Sequence, residues 1–441
     1  MTRRPDAVVV GAGIVGAACA LALAREGLRV LVLESGFAGG GATAAAMGHL
    51  VVMDDSEAQF ALTAWSLRLW AELACELPAD CEDDPCGTLW LAAREDEMER
   101  VRAKAGYYRA RGVAAEVLDA AQLAAAEPRL RGGLAGALRV PGDRVIYPPN
   151  AVRFLLARAA DHGAELWERF FVSRVAAGVV EGHGERIAAP LVINAAGAAA
   201  PDLTPGLPIV PRKGHLVITD RHPGFCRHQL VELGYLDSAH GHRREEPAAP
   251  ATGATTAAAT TAAGATTATG AEAAAAPAAA AMPASVAFNV QPRATGQVLI
   301  GSSRELVGLD RSHNHRLERR MIVRALDFLP RLGGVAALRG WIGFRPATPD
   351  NLPLIGPWPE VPGLWIAGGH EGLGITTSLA TARLLADLVC GRQPEIDASS
   401  FAPDRLRTAA PAGSPARAGA AAVAPSGGGD GDGASARRAA P

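Results

Sequence analysis

The chain has almost no net charge: 43 Lys and Arg stand against 45 Asp and Glu, a formal −2. No global field therefore points to nucleic acid or to an anionic membrane. Cysteine is scarce, with six in 441 residues. Cys75, Cys81 and Cys86 make the only sequence cluster, spaced C-x5-C-x4-C. That is neither a zinc nor an iron–sulfur spacing, so no metal is expected and the thiols read as free, in a reducing cytoplasm. Apolar runs of membrane-spanning length are missing too. Arg3 and Arg4 precede an apolar stretch, as in an export signal. Yet Gly11, Gly13 and Gly16 break it, and Asp6 and Arg25 flank it, so the reading is no signal peptide and no span.

What is there begins at Asp6–Ser35, DAVVVGAGIVGAACALALAREGLRVLVLES. It predicts strand, glycine turn, helix, strand. Gly11 permits a sharp turn, Gly13 lets backbone approach a pyrophosphate, and Gly16 lets the helix pack close to the sheet. The helix start, at Ile14 and Val15, offers unpaired N–H groups and a positive dipole end to phosphates. Glu34 lies about twenty residues on, where an acid accepts from a ribose 2′-OH and would repel a 2′-phosphate. Ser35 follows it. The pattern reads as dinucleotide binding, without saying whether the ligand is FAD or NAD. The bland alternative is a buried βαβ unit with no ligand.

The length suffices for two full cores. Gly36–Leu50 is small and flexible, a loop able to wrap a pyrophosphate. Helical spacing predicts helices over 57–77, 96–111 and 119–126, and one to Asp161 capped by Asn150. Gly142-Asp143 reads as turn chemistry. Glu165–Val172 reads as one strand. Pro190–Ala195 reads as a buried strand ending at Ala196-Gly197, a second place for a dinucleotide to touch the sheet. Residues 247–283 are almost wholly Ala, Thr, Gly and Pro and cannot offset their ordering entropy, so a disordered insertion between two paired strands is expected. Arg339–Pro362 reads as irregular. A strand over 363–367 then feeds Gly368-Gly369, Gly372-Leu373-Gly374 and an apolar helix from Ile375. That helix start, with Thr376, would stabilise negative charge on a reduced flavin, which favours FAD over NAD.

The order VVVGAGIVGAACA, VLVLES, LVINAAG, PRKGH, GFRPATPDNLPLIG and LWIAGGHEGLGITTS resembles the D-amino-acid oxidase and glycine oxidase family of FAD-dependent oxidoreductases. The likeness runs from about 6 to 397, the insertion excepted. AAAMGHLVVMDD and GQVLIGSSRE most resemble the D-hydroxyproline dehydrogenase β-subunit branch.

The resemblance implies an α/β fold: a Rossmann-like FAD-binding domain (1–87, 146–206 and 340–400) and an α+β substrate domain on an antiparallel sheet (88–145 and 207–339). A disordered insertion (245–284) and tail (403–441) complete the expectation. Gly11, Gly13, Gly16 and Glu34 would hold the ADP half. Ala44 to Leu50, with Gly48 and His49, would lie along the pyrophosphate and flavin. Val172 would meet the adenine through its backbone, with Ala196 and Gly197 close by. Gly369, Gly372, Leu373, Gly374, Ile375 and Thr376 would frame the isoalloxazine. Arg345 would grip the substrate carboxylate, a task suited to a planar, permanently charged fork. His49 and His370 would flank the ring, as tuning or as structural groups. Ala45 occupies the site where some relatives attach flavin through histidine, so FAD is expected to be non-covalent. Where glycine oxidases place a substrate tyrosine, Phe288-Asn289 offers none, and Tyr235 is a conjectural substitute.

The implied reaction is oxidation of a D-amino or cyclic imino acid, such as D-hydroxyproline, to the imine by hydride transfer from Cα to flavin N5. Positioning does most of the work, and no general base is named. Two rivals stand beside it: a sarcosine or N-methyl amino acid oxidoreductase, and a subunit inactive without its hetero-oligomeric partner. The electron acceptor, whether oxygen, a quinone or a partner redox subunit, is not readable.

Overall fold

A computed structural model describes residues 4–234 and 284–406. Tyr235, nearly all of the expected insertion and the tail beyond 406 lie outside these. Two sheets organise the rest. The first has six strands in the order Leu354–Pro357, Leu364–Gly368, Leu191–Asn194, Ala7–Val10, Val30–Leu33, Glu165–Trp167. All neighbours run parallel except the Leu354–Pro357 edge. Four consecutive β-branched or small apolar residues suit a strand buried on both faces. Ala7 and Val9 pack with the first helix, Ile14–Arg25, and the closing helix, Gly374–Val389. Val8 and Val10 face the opposite way, toward Val172 and Val180 of a three-stranded sheet. The period of two sets this division.

The second sheet has eight strands in the order Ala337–Ala347, Val210–Thr219, Val298–Arg304, Ser285–Pro292, Gln229–Glu232, Thr88–Ala92, Gly136–Val140, Glu116–Asp119. It is antiparallel but for one parallel pair, Gln229–Glu232 beside Thr88–Ala92. One face is covered by the helix His315–Phe328, where Phe288 stacks on Phe328 at 4.3 Å between ring centroids. The other face carries Trp90, Val231 and Asn289 toward the site described below. The strands flanking the expected insertion pair antiparallel, with Leu230 opposite Val290 and Val231 opposite Asn289.

Several local expectations are corrected. Arg339–Pro362 is not irregular throughout: Ala337–Ala347 is an eleven-residue strand. Its pairing along Val210–Thr219 outweighs its Gly and Pro content. Asn150 does not cap its helix. Pro148 opens that helix, its fixed φ being suited to the first turn, and Asn150 donates to the Asp80 carbonyl at 2.7 Å. Glu165–Val172 is two strands, divided where Arg169 takes φ +56. The turn expected at Gly142-Asp143 is present, closed by the Asp143 N–H to the Val140 carbonyl at 3.3 Å, but Asp143 is wholly buried, its Oδ1 accepting from the Val52 N–H at 3.2 Å. Burial pushes its carboxyl up to about 7. At the end, 403–406 still forms a short helical turn, tied down by Arg405 to Asp350 at 2.9 Å. No helix among the described residues is long and apolar enough to cross a membrane.

Candidate active site

Three glycine turns meet at the C-terminal edge of the parallel sheet. Gly11 takes φ +104, and a Cβ there would lie 2.5 Å from the Ala195 carbonyl oxygen. At Gly16 a Cβ would lie 1.9 Å from the Gly11 carbonyl oxygen, so only hydrogen fits. Gly13 is different: its added Cβ would meet nothing nearer than Thr43 Oγ1 at 3.4 Å. The backbone at Gly13 is thus open to a ligand. The N-cap residue of the helix that begins at Ile14 is Gly13, which has no side chain to cap it, and one distant side chain meets only the first N–H. Thr43 Oγ1 accepts from the Ile14 N–H at 3.1 Å, and Glu34 Oε2 accepts from the Ala12 N–H at 2.8 Å. Glu34 therefore stands at the end of its strand, beside the turn. Ser35, Ala44 and Gly197 lie on the same rim, the last with φ +60. Val172 is buried on the far side of the sheet, in the cluster shared with Val10 and Leu33.

The closing helix brings a second helix start, without a side-chain cap from its N-cap Leu373, to the same edge. A Cβ on Gly374 would lie 3.9 Å from the Val15 side chain, so the two helix starts are neighbours. Thr376 Oγ1 donates to the His49 carbonyl at 2.9 Å and accepts from the Val51 N–H at 3.3 Å. The Trp70 indole donates to the Ile375 carbonyl at 3.2 Å. These bonds fix Gly48–Val51 against the helix start, with Gly48 at φ +100 under Ile146. Gly369 takes φ +78, packed on Thr348.

A cavity, partly open to solvent, lies beside this junction. From the sequence expectations it takes His49, Gly372 and Leu373. Its remaining wall includes Asp55, Trp90, Arg212, Gln229, Arg304 and Glu371, none of which was singled out, and Asn289, noted only where a tyrosine is missing. Buried polar atoms of His49, Gln59, Trp90, Gln229 and Asn289 lack hydrogen-bond partners among the described residues. Unsatisfied buried groups are costly, and five around one cavity mark a place where a polar ligand completes them.

Charge converges on Glu371. Its Oε1 lies 3.3 Å from Arg212 Nη1 and 3.7 Å from Arg304 Nε. Burial alone would raise its carboxyl. The positive charges of Arg304, Arg345 and Arg212 overcome that and hold it at about 2. Arg345 faces Arg212 across the two strands and donates to the Ser303 carbonyl at 3.0 Å. Its guanidinium lies over Gly214, where a Cβ would be 2.2 Å from Nη1. Arg212 and Arg304 line the cavity with two carboxylates, Glu371 and Asp55, while Arg345, opposite Arg212 on the next strand, is not among the lining residues. The signal for Arg212, Glu371 and Arg304 was present in the PRKGH, GGHEG and GSSRE stretches. Nothing local in them said that they would meet.

The two histidines part company. His49 lines the cavity, and burial, with the Arg345 charge adding, pushes its ring down to about 3. It is neutral. His370 is not in the cavity wall. It is buried, with Nε2 3.0 Å from Thr381 Oγ1, and burial pushes it to about 3 as well. Its contact is to the closing helix, which fits a part in holding the glycine turn.

The sequence matches the family model "DAO: FAD dependent oxidoreductase" over residues 6–244 and 259–388. The chain belongs to the FAD dependent oxidoreductase family. Glycine oxidase of Pseudomonas aeruginosa is 29% identical over 415 residues, covering 90% of this chain and 98% of that protein. D-amino acid dehydrogenase of Methylobacterium nodulans is 28% identical over 368 residues, 79% of this chain and 74% of that one. The crystal structure of glycine oxidase from Geobacillus kaustophilus aligns with a TM-score of 0.75 at 26% identity, covering 92% of this chain and all of that chain. FAD is thus the cofactor of this oxidoreductase. The residues present fit it: a glycine cradle that a Cβ would fill, two neighbouring helix starts whose N-cap residues make no side-chain cap bond, and orphaned polar atoms at the cavity.

Proposed function

We propose that this FAD dependent oxidoreductase oxidises a D-amino or cyclic imino acid to the imine, holding the substrate carboxylate on the arginine cluster. The observation that carries the reading is the gathering of Arg212, Arg304 and Arg345 around Glu371, the first two of them lining a polar cavity beside His49 and Arg345 opposite Arg212 on the neighbouring strand. A carboxylate entering there meets planar donors able to bind it in two places at once. The glycine oxidase and D-amino acid dehydrogenase relatives support the amino acid class. Bound flavin supplies the acceptor for the substrate hydride.

The chain's own residues then have separate tasks. Gly11, Gly13 and Gly16, with the start at Ile14 and Val15, take the pyrophosphate, and Glu34 takes the ribose. Gly374 to Thr376 offer N–H groups to the ring edge. Arg345, braced by Ser303, orients the substrate carboxylate. Asn289, Gln229 and the Trp90 indole complete its polar surface. Holding a small acid in one orientation is worth several orders of magnitude in rate. The six free cysteines support a reducing compartment, the cytoplasm.

The test is Arg345→Ala. KM for the acid should rise by about two orders of magnitude, as for a lost charged hydrogen-bonded pair, while flavin absorbance persists. An unchanged KM removes Arg345 from this role. A panel of D-proline-like, N-methyl and linear D-amino acids, followed by anaerobic flavin bleaching, identifies the substrate. Turnover with oxygen, or with an artificial acceptor alone, separates oxidase from dehydrogenase.

A further inference from the structure

A cluster away from the cavity has a different chemistry. Among the described residues one group of three could offer ligand atoms to a metal ion: His313, His315 and Glu318, with those atoms all within 4.8 Å of one another. His313 and His315 lie on the segment before the helix and at its first residue, and Glu318 sits one turn in. His313 Nε2 is 3.0 Å from Glu318 Oε1, and His315 Nδ1 is 3.5 Å from Glu318 Oε2. Ligands held about 2.0–2.1 Å from a tetrahedral zinc ion stand about 3.3 Å apart, so the spacing is that of a coordination shell.

The orientation supports the same conclusion. His313 Nε2 is buried and forms no hydrogen bond, although the carboxylate oxygen is so near. A simple His–Glu pair would align the ring N–H with that oxygen. The His313 and His315 rings stack at 4.7 Å between centroids and 29° between planes, so a turn of the exposed His315 ring is what brings both nitrogens onto one ion. The neighbouring His215 is already committed: its Nδ1 lies 2.9 Å from Ser303 Oγ, and its Nε2 accepts from the Asn314 N–H at 3.1 Å. It packs edge-on against the His313 ring at 4.9 Å between centroids, which sets that ring's angle.

The surroundings are shaped for the carboxylate. Glu318 lies against Gly340, where an added Cβ would sit 2.1 Å from Oε1. The loop before the helix is independently pinned. Lys213 Nζ reaches Asp310 at 3.0 Å and the Ser312 carbonyl at 3.1 Å, and Asn314 Nδ2 donates to Glu305 at 2.6 Å.

We propose that His313, His315 and Glu318 bind a divalent transition-metal ion of the zinc class, with solvent completing the shell. Two imidazoles and a carboxylate suit zinc among the metals commonly available. The ion ties the loop to the helix and backs the Gly340 strand, five residues before Arg345. It takes no part in the flavin chemistry.

The experiment is calorimetric titration of zinc chloride into the FAD-loaded full chain, freed of metal by chelation, for wild type and for His315→Ala, His313→Ala and Gly340→Ala. One zinc per chain should bind and raise the melting temperature. His315→Ala should weaken that binding by about tenfold or more, since even supporting residues cost 10–100-fold. Gly340→Ala should weaken it without altering a ligand. The His315 side chain is 84% exposed, so its loss removes little packing, and its variant should match wild type in flavin spectrum and in melting temperature under chelator. Should His313→Ala or Gly340→Ala fail to fold, His315→Ala decides alone. Zinc binding of equal strength in His315→Ala overturns the proposal, as does no binding up to about 1 mM, the range of a casual surface contact.

Discussion

Glu371 is held among Arg212, Arg304 and Arg345, and replacing it by glutamine has a calculable cost. The side chain is 14% exposed and touches Arg212 and Arg304, with Arg345 near enough to act on it. Its backbone takes φ +47, and its N–H donates to the Pro346 carbonyl at 2.8 Å, beside Arg345 in the strand. Its carboxyl drops from 4.5 to about 2 on folding. At about 1.4 kcal/mol for each tenfold change, that is about 3 kcal/mol of stability. Because the folded value is the lower one, this stability is present above pH 4.5 and is lost as pH falls through 2. Mutational experience gives a similar figure: removing one partner of a buried ion pair costs about 3–5 kcal/mol. Glu371→Gln keeps the volume and removes the charge, leaving three arginines without their internal counter-ion. Urea unfolding, read by circular dichroism at fixed FAD concentration, should show a loss of about 3 kcal/mol at pH 7. The gap should shrink to about half that by pH 3, where wild-type Glu371 gives up much of its own advantage. Added sulfate should restore part of the loss, by taking the vacated anion position. Equal stabilities at pH 7, or a gap independent of pH, would refute the view that Glu371 holds the arginines together.

Three further outcomes follow from the geometry. Gly16→Ala puts a methyl 1.9 Å from the Gly11 carbonyl oxygen and should cost FAD affinity about tenfold or more, whereas Gly27→Ala, with nothing within 4 Å, should stay yellow; flavin absorbance after gel filtration reads both. Asp143→Asn should stabilise the protein above pH 7. The buried carboxyl titrates at about 7 against 3.8, so wild type loses about 4 kcal/mol as pH rises between those values, and the amide oxygen keeps the Val52 N–H; melting temperatures at pH 5 and 8 should cross over between the two proteins. His49 is neutral above about pH 3, so kcat/KM profiles of wild type and His49→Gln should share one shape from pH 5 to 9; a bend lost in the variant would show that His49 titrates in that range.

The nucleotide half of the molecule was legible in the sequence because its constraints are local. A turn that admits no Cβ must be glycine, and Gly11 and Gly16 carry that information alone. The closing helix start was legible for the same reason. The substrate wall was not. Arg212, Arg304 and Glu371 come from three separate stretches and meet only when the Val210–Thr219 strand pairs with Ala337–Ala347 on one side and Val298–Arg304 on the other. The longest of these strands was itself hidden, since Gly340, Gly343 and Pro346 read as loop chemistry. Gly340 and Gly343 are small because Glu318 and Ala45 crowd them, a reason visible only in three dimensions. Asn150 shows the converse: a good cap residue lost its place to Pro148, two positions earlier.

Arg212 and Arg345 occupy one rung of an antiparallel ladder, and directly opposed residues share a face. Sliding either strand by a single residue would turn its arginine to the other side of the sheet. The receptor we propose for the acid is therefore a matter of counting as much as of composition. An insertion of one residue within either strand, ahead of that rung, could leave every side chain intact and still abolish recognition.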